Sequence, residues 1–143
     1  VIVIALESTA LSELATELAD AGLPTSDLGE PDRRFFQFED DVGIAGYGGM
    51  EGNGPDRLLR SLVVTADRRR GGLGTAILGA IEKAATDEGV AALYLLTTTA
   101  EPFFRRHGYV PANRADAPDA ITGSAEFRSL CPASAALLFK RIA

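Results

Sequence analysis

Residues 68–77 read Arg68-Arg69-Arg70-Gly71-Gly72-Leu73-Gly74-Thr75-Ala76-Ile77 (RRRGGLGTAI). Three arginines run into three glycines, and the glycines run into an apolar stripe. Leu73, Ile77, Ile81 and Ala84, with Ala80 and Ala85, recur at helical spacing and predict a helix from about Gly72 to Glu88. Gly89 is its natural stop. Before it lies RLLRSLVV at 57–64 and after it VAALYLLT at 90–97, two apolar runs that read as strands buried on both faces. Two buried strands joined by one helix lie parallel with a right-handed crossover. The helix then opens at the carboxyl ends of the strands, where glycines let backbone N–H groups converge on an anion.

Two familiar phosphate motifs fail here. A P-loop needs GxxxxGK[ST], and no Lys-Ser/Thr pair follows the glycines at that spacing. The dinucleotide fingerprint GxGxxG is broken by Ile77 in place of the third glycine. The pattern that fits is [Q/R]-x-x-G-x-[G/A], filled by Arg69, Gly72 and Gly74.

The remaining sequence bounds the molecule. The 143 residues suit one domain, 1–143, with 46% hydrophobic and 24% charged residues. A net charge of −6 argues against a nucleic-acid partner, and no apolar run reaches membrane-spanning length. VIVIAL lacks a basic flank and does not read as a signal peptide, so the expected location is cytoplasmic. One cysteine, Cys131, and one histidine, His107, make a protein-built metal site improbable. VIVIAL predicts a first strand, and Leu11, Leu14, Ala15 and Leu18 a helix ended by Gly22 and Pro24. RFFQFE and VGIAGYGGM predict a hairpin turning at Asp40-Asp41.

The stretch LVVTADRRRGGLGTAIL, followed by TTTAEPFFRRHGY, resembles the GNAT superfamily of acetyl-coenzyme A-dependent N-acetyltransferases. FFQF, LYLLTTTAEPFFRRHGY and above all SAEFRSLCPASA are similar to the small N-acetyltransferases of bacterial arsenic-resistance operons. That likeness covers nearly the whole chain. The resemblance implies the acyl-CoA N-acyltransferase fold, an α/β architecture with a mixed, mostly antiparallel sheet splayed in the middle and flanked by helices. It implies acetyl-CoA as cosubstrate, a small-molecule amine as acceptor, and leaves room for a homodimer. The cofactor would lie along Leu62, Val63 and Val64, with Arg69, Arg70, Gly71, Gly72, Leu73, Gly74 and Thr75 at its phosphates and Phe104 beside it. Trivalent arsenic wants several thiolates, so direct binding by a chain with Cys131 alone is disfavoured.

Two positions depart from the superfamily pattern. Phe104 stands where many members have a tyrosine that protonates the leaving thiolate, and Leu58 where many have a glutamate base. These departures keep an alternative open, a CoA-binding sensor or interaction module with little or no catalysis. Among residues left to serve the chemistry, Arg60 is the charge in an otherwise apolar strand. Alternation puts it on one face with Leu58 and Leu62. A buried arginine needs a partner, and Glu51 at the end of the preceding strand is the nearest acid. Glu51 and Arg60 are thus the expected catalytic pair, with Arg60 a positive wall favouring acceptors that carry an oxyanion. Arg33, Phe36 and Thr97 are expected at the acceptor. The blander readings assign Phe35 and Phe36 to the core, His107 to capping a helix end, Cys131 to burial, and Thr98 with Glu101 to a capping box.

Overall fold

The computed structural model describes residues 2–6, 11–68, 72–124, 126–130 and 134–142. Its strands are β1 (Ile2–Ala5), β2 (Arg33–Asp40), β3 (Gly43–Glu51), β4 (Asp56–Val64), β5 (Ala92–Thr97), β6 (Val110–Pro111) and β7 (Ala136–Arg141). Its helices are α1 (Ser12–Asp20), α2 (Leu73–Asp87), α3 (Glu101–Arg106) and α4 (Asp119–Thr122). The strands form one sheet in the order β1-β2-β3-β4-β5-β7-β6. Every pairing is antiparallel except β4 with β5. The fold class expected from the sequence is the one observed.

The β2–β3 hairpin turns at Asp41-Val42, and Asp40 Oδ1 accepts the N–H groups of Val42 (3.0 Å) and Gly43 (3.3 Å). That side-chain acceptor, with Gly43 at φ 140°, replaces the glycine-centred turn that the sequence lacks.

Helix α2 packs one face of the sheet. Ile77, Leu78, Ile81 and Ala85 are buried there with Phe36, Phe38, Met50, Leu59, Leu93 and Leu95. On the opposite face, Leu14 and Leu18 of α1 pack against Phe35, Tyr47 and Val63. Farther along that face Ile121 of α4 covers Leu58 and Leu137. The sheet is therefore a two-sided core, which is why β3, β4 and β5 read as nearly continuous apolar runs.

Two irregularities place the site. Strands β4 and β5 pair only from Asp56↔Ala92 to Leu58↔Tyr94, and beyond that they part. Opposite, Tyr47 pairs with Val63 and Gly49 with Arg60, so Gly48 faces both Ser61 and Leu62. This is a β-bulge, and Ser61 takes the left-handed conformation (φ 59°) that such a bulge demands. The extra residue reverses the side-chain phase. Arg60 shares its face with Leu58, as alternation predicts, but Leu62 and Val64 turn to the α2 side. The expectation that Arg60 and Leu62 share a face is overturned by that one residue.

Candidate active site

The parting of β4 and β5 leaves a cleft of about 230 Å³. Leu59, Arg60, Ser61 and Leu62 form one wall, Leu95, Leu96 and Thr97 the other. Phe104, Thr99 and Ala100 lie at one end, and Ala21, Leu23, Pro24 and Glu126 border the rest. A larger hollow, about 420 Å³, lies against Glu13, Glu17, Tyr47 and Asp67. It has no residue from β5 in its lining and lies outside the gap, so it is not the site implied by the strand geometry.

Helix α2 begins beside the cleft. Gly72 is its N-cap at φ 74°, and no described side chain caps it. The first N–H groups of a helix lack intrahelical partners and carry its positive end, so an uncapped start invites an anion. A Cβ on Gly72 would meet nothing within 4 Å; glycine is required there by backbone conformation and not by space. A Cβ on Gly74 would lie 3.4 Å from the Phe103 ring. Thr75 Oγ1 is 3.2 Å from His107 Nε2, and that ring packs on Phe103 with centroids 4.8 Å apart. His107 thus ties the end of α3 to the first turn of α2, beyond the backbone cap role expected of it. Arg69, Arg70, Gly71 and Cys131 lie outside the described residues. Arg68 turns away from the helix start to pair with Asp40, whose carboxyl it holds at about 2.

The capping box expected at Thr98 and Glu101 does not form. Ala100 is the N-cap of α3, and Thr97 Oγ1 accepts its N–H at 2.9 Å. Thr97 lines the cleft as expected, whereas Phe36 does not. Phe36 sits 4% exposed in the core beneath α2, on the face opposite to Arg60. Phe35, its neighbour in the alternating strand, is the aromatic near the site, with Arg60 Cζ 5.6 Å from its centroid.

Arg60 has a side chain with 0% exposure and five oxygen contacts, as many as it has N–H donors. Nη1 donates to Asp27 Oδ2 (2.5 Å) and Glu51 Oε1 (3.0 Å), and Nη2 to Asp27 Oδ1 (2.7 Å). Nη2 also lies 3.2 Å from Glu126 Oε2, and Nε donates to Ser61 Oγ (3.3 Å). Arg33 joins the group through Asp27 Oδ2, at 3.0 Å from Nε and 2.9 Å from Nη2. Its Nη2 is 3.6 Å from Glu51 Oε2. Burial opposes ionisation of Asp27, yet the guanidiniums of Arg60 and Arg33 outweigh it and hold the carboxyl below its usual range. Burial likewise opposes the Arg60 charge, and Asp27, Glu126 and Glu51 reverse that effect.

Glu51 does meet Arg60, but it stands behind the guanidinium and is not among the cleft-lining residues. Arg33 likewise stands behind the wall. Asp27 and Glu126 were missed by sequence reasoning. Asp27 sits in a polar loop, where an acid looks like a turn residue. Glu126 opens a π-helical turn, Glu126–Leu130, where sequence spacing suggested only a short helix. The one available signal was Arg60 itself, whose burial called for more than one acid.

A parallel strand pair that parts beside an uncapped, glycine-started helix is a scaffold for a ligand with an extended arm and a phosphate group. The GNAT acetyltransferase domain model matches residues 31–111, and the chain belongs to that family. Among solved structures, a coenzyme A complex of Rv2747 from Mycobacterium tuberculosis is similar at 16% identity and TM-score 0.76, covering 99% of each chain. N-acetylglutamate synthase from Neisseria gonorrhoeae, complexed with coenzyme A and N-acetylglutamate, is similar at 17% identity and TM-score 0.75. All of this chain is covered in that comparison, but it spans 36% of the synthase chain. An aminoglycoside 6'-N-acetyltransferase complexed with coenzyme A is similar at 16% identity and TM-score 0.70, covering 100% of this chain and 98% of the other. No curated protein matches the chain significantly.

Proposed function

We propose that the chain is an N-acetyltransferase that moves the acetyl group from acetyl-CoA to a small amine by direct attack. The observation that carries this is the β4–β5 gap beside the Gly72-started helix, in a member of the GNAT acetyltransferase family. In this reading the pyrophosphate meets the α2 N-terminus, with Arg69, Arg70, Gly71, Leu73, Gly74 and Thr75 around it. The pantetheine arm pairs with backbone groups of Leu62, Val63 and Val64, and Phe104 flanks the thioester. A β4 N–H near the bulge polarises the thioester carbonyl. The amine nitrogen then attacks that carbon, the C–N bond forms, the C–S bond breaks, and coenzyme A leaves with a proton from the nitrogen. Proximity supplies much of the acceleration for such a transfer, so the absence of a tyrosine at Phe104 is compatible with turnover.

Arg60 and Glu51 act in this scheme as positioning residues of the acceptor end, with Arg33 behind them and Thr97 across the cleft. The finer placement, among N-acetyltransferases of arsenic-resistance operons in the bacterial cytoplasm, rests on the resemblance of SAEFRSLCPASA and GLPTSDL. A single domain over 1–143 and a homodimer belong to the same reading.

A second reading, a CoA-binding module without chemistry, is favoured by Phe104 in the cleft and by Leu58, fully buried under Ile121 where a base would stand. Release of free thiol from acetyl-CoA over a panel of amines separates the two. Amine-dependent release is expected. Tight binding of acetyl-CoA with no release above the blank for any amine would establish the second reading.

A further inference from the structure

We infer that Glu126 is the residue that receives the acceptor's ammonium group and takes its proton, and that the cleft selects amines without a neighbouring carboxylate. This rests on the acetyltransferase reading above. Arg60 and Glu126 are the two charged residues among those lining the cleft. Arg60 cannot serve as a hook for a substrate carboxylate, because its N–H donors are already matched by five oxygen contacts. An incoming oxyanion would have to displace one of them, in a place where water cannot compensate the loss. The positive wall expected from the sequence is therefore electrically closed.

The charge of the cluster points the other way. Asp27, Glu51 and Glu126 contribute three negative charges and Arg60 and Arg33 two positive ones, leaving a net charge of −1 when all are ionised. Asp27 and Glu51 stand behind Arg60 and share Arg33 with it, so both are doubly compensated. Glu126 is held by Arg60 from the sheet side and borders the cleft, its side chain 5% exposed. A partly desolvated net negative charge in a cleft is relieved by a cation. Most amines arrive as ammonium ions and react only after losing a proton. Glu126 can supply both needs: its carboxylate pairs with R–NH3+, accepts one proton from it, and leaves R–NH2 to attack the thioester. The second nitrogen proton departs with the coenzyme A thiolate, and the proton on Glu126 passes to solvent after turnover.

The charged groups facing Glu126 among the described residues are Arg60 directly, with Asp27 and Glu51 beyond its guanidinium. Arg60 keeps the Glu126 carboxylate ionised at neutral pH by direct attraction, so the base is available where the amine is still protonated.

The test uses Glu126→Gln and Glu126→Asp in the full chain, with 1,4-diaminobutane and glutamate as acceptor probes. Acetyl-CoA binding is followed by calorimetry alongside thiol release. Wild type is expected to show at least tenfold higher kcat/KM for 1,4-diaminobutane than for glutamate. Glu126→Gln is expected to lower kcat/KM for the diamine about 100-fold at pH 7, the scale of general base catalysis, with acetyl-CoA affinity within twofold of wild type. That deficit shrinks toward pH 10 as the amine deprotonates without help, and Glu126→Asp restores part of the rate. A pH-independent deficit, an unchanged rate, or a preference for glutamate overturns this inference and leaves the acetyltransferase reading standing. Failure of wild type to bind acetyl-CoA overturns both. Acetyl-CoA binding by the variants shows that they are folded, so a lost rate cannot be confused with a lost structure.

Discussion

Arg60 concentrates the logic of the site. A guanidinium buried in a sheet is tolerable only with full hydrogen bonding and opposite charge, and here three carboxylates and a serine hydroxyl converge on it from separate parts of the chain. Asp27 is the partner that matters most to stability, since it grips Arg60 with both oxygens and Arg33 with one. Asp27→Asn should cost about 3–5 kcal/mol at pH 7, the usual range for breaking a buried pair, measured by urea unfolding. The sign of its pH dependence follows from the lowered carboxyl pKa. Between the folded value and the unfolded value of about 3.9, the unfolded chain binds more protons than the folded one. Stability is therefore complete above the unfolded value and falls as pH drops through the folded one. The gap between wild type and Asp27→Asn should narrow from pH 7 to pH 3. A constant gap would show that the carboxylate charge is not what stabilises Arg60.

At the level of elements, helix α2 and strand β4 supply the two halves of the cofactor track by opposite means. Strand β4 carries its irregularity inside, as the Ser61 bulge that turns Leu62 and Val64 toward α2 and leaves Arg60 on the other face. Its neighbour accommodates the close approach with small residues: a Cβ on Gly46 would lie 2.2 Å from the Val63 carbonyl oxygen and 2.6 Å from Ile77 Cδ1. Helix α2 carries its irregularity at the start, where Gly72 adopts φ 74° in open space. Gly72→Ala therefore tests conformation without a clash. It should cost about 1–2 kcal/mol, the left-handed penalty of an L-residue, and weaken acetyl-CoA binding by tilting the first N–H groups away from the phosphates. Calorimetric titration that shows unchanged affinity would mean the pyrophosphate does not meet this turn.

The whole molecule is a sheet held together by α2 on one face and α1 with α4 on the other, yet open where β4 leaves β5. That opening leaves backbone groups along β4 and β5 without a strand partner, so the fold is completed by whatever lies in the gap. Acetyl-CoA should then bind the folded chain alone and stabilise it by mass action. At a free concentration of a hundred times Kd the gain is about 2.7 kcal/mol, readable as a rise in Tm that grows with ligand concentration. Dephospho-coenzyme A should give a smaller rise at equal concentration if Arg69 or Arg70 holds the ribose phosphate. A Tm indifferent to acetyl-CoA at millimolar concentration would remove the cofactor assignment.

The sequence by itself determined the strand–helix–strand unit around residues 57–97. Helical and strand periodicities there are local properties of neighbouring residues, and Gly72 and Gly89 bound α2 because their φ values of 74° and 82° are ones other residues avoid. The resemblance carried by LVVTADRRRGGLGTAIL extended that unit to the whole sheet. Only the tertiary structure decided which residues form the acceptor end. Asp27 and Glu126 lie 33 and 66 positions from Arg60 along the chain, and no periodicity links an acid in a polar loop to a π-helical turn and a buried strand. The same holds for Phe36, which strand alternation left free to face either way. One extra residue at Ser61 reversed the side-chain phase of β4, because a period of two is erased by a single insertion. Burial and long-range charge pairing are collective properties of the folded chain, and they turned the expected oxyanion hook at Arg60 into a closed ion cluster with its negative side toward the cleft.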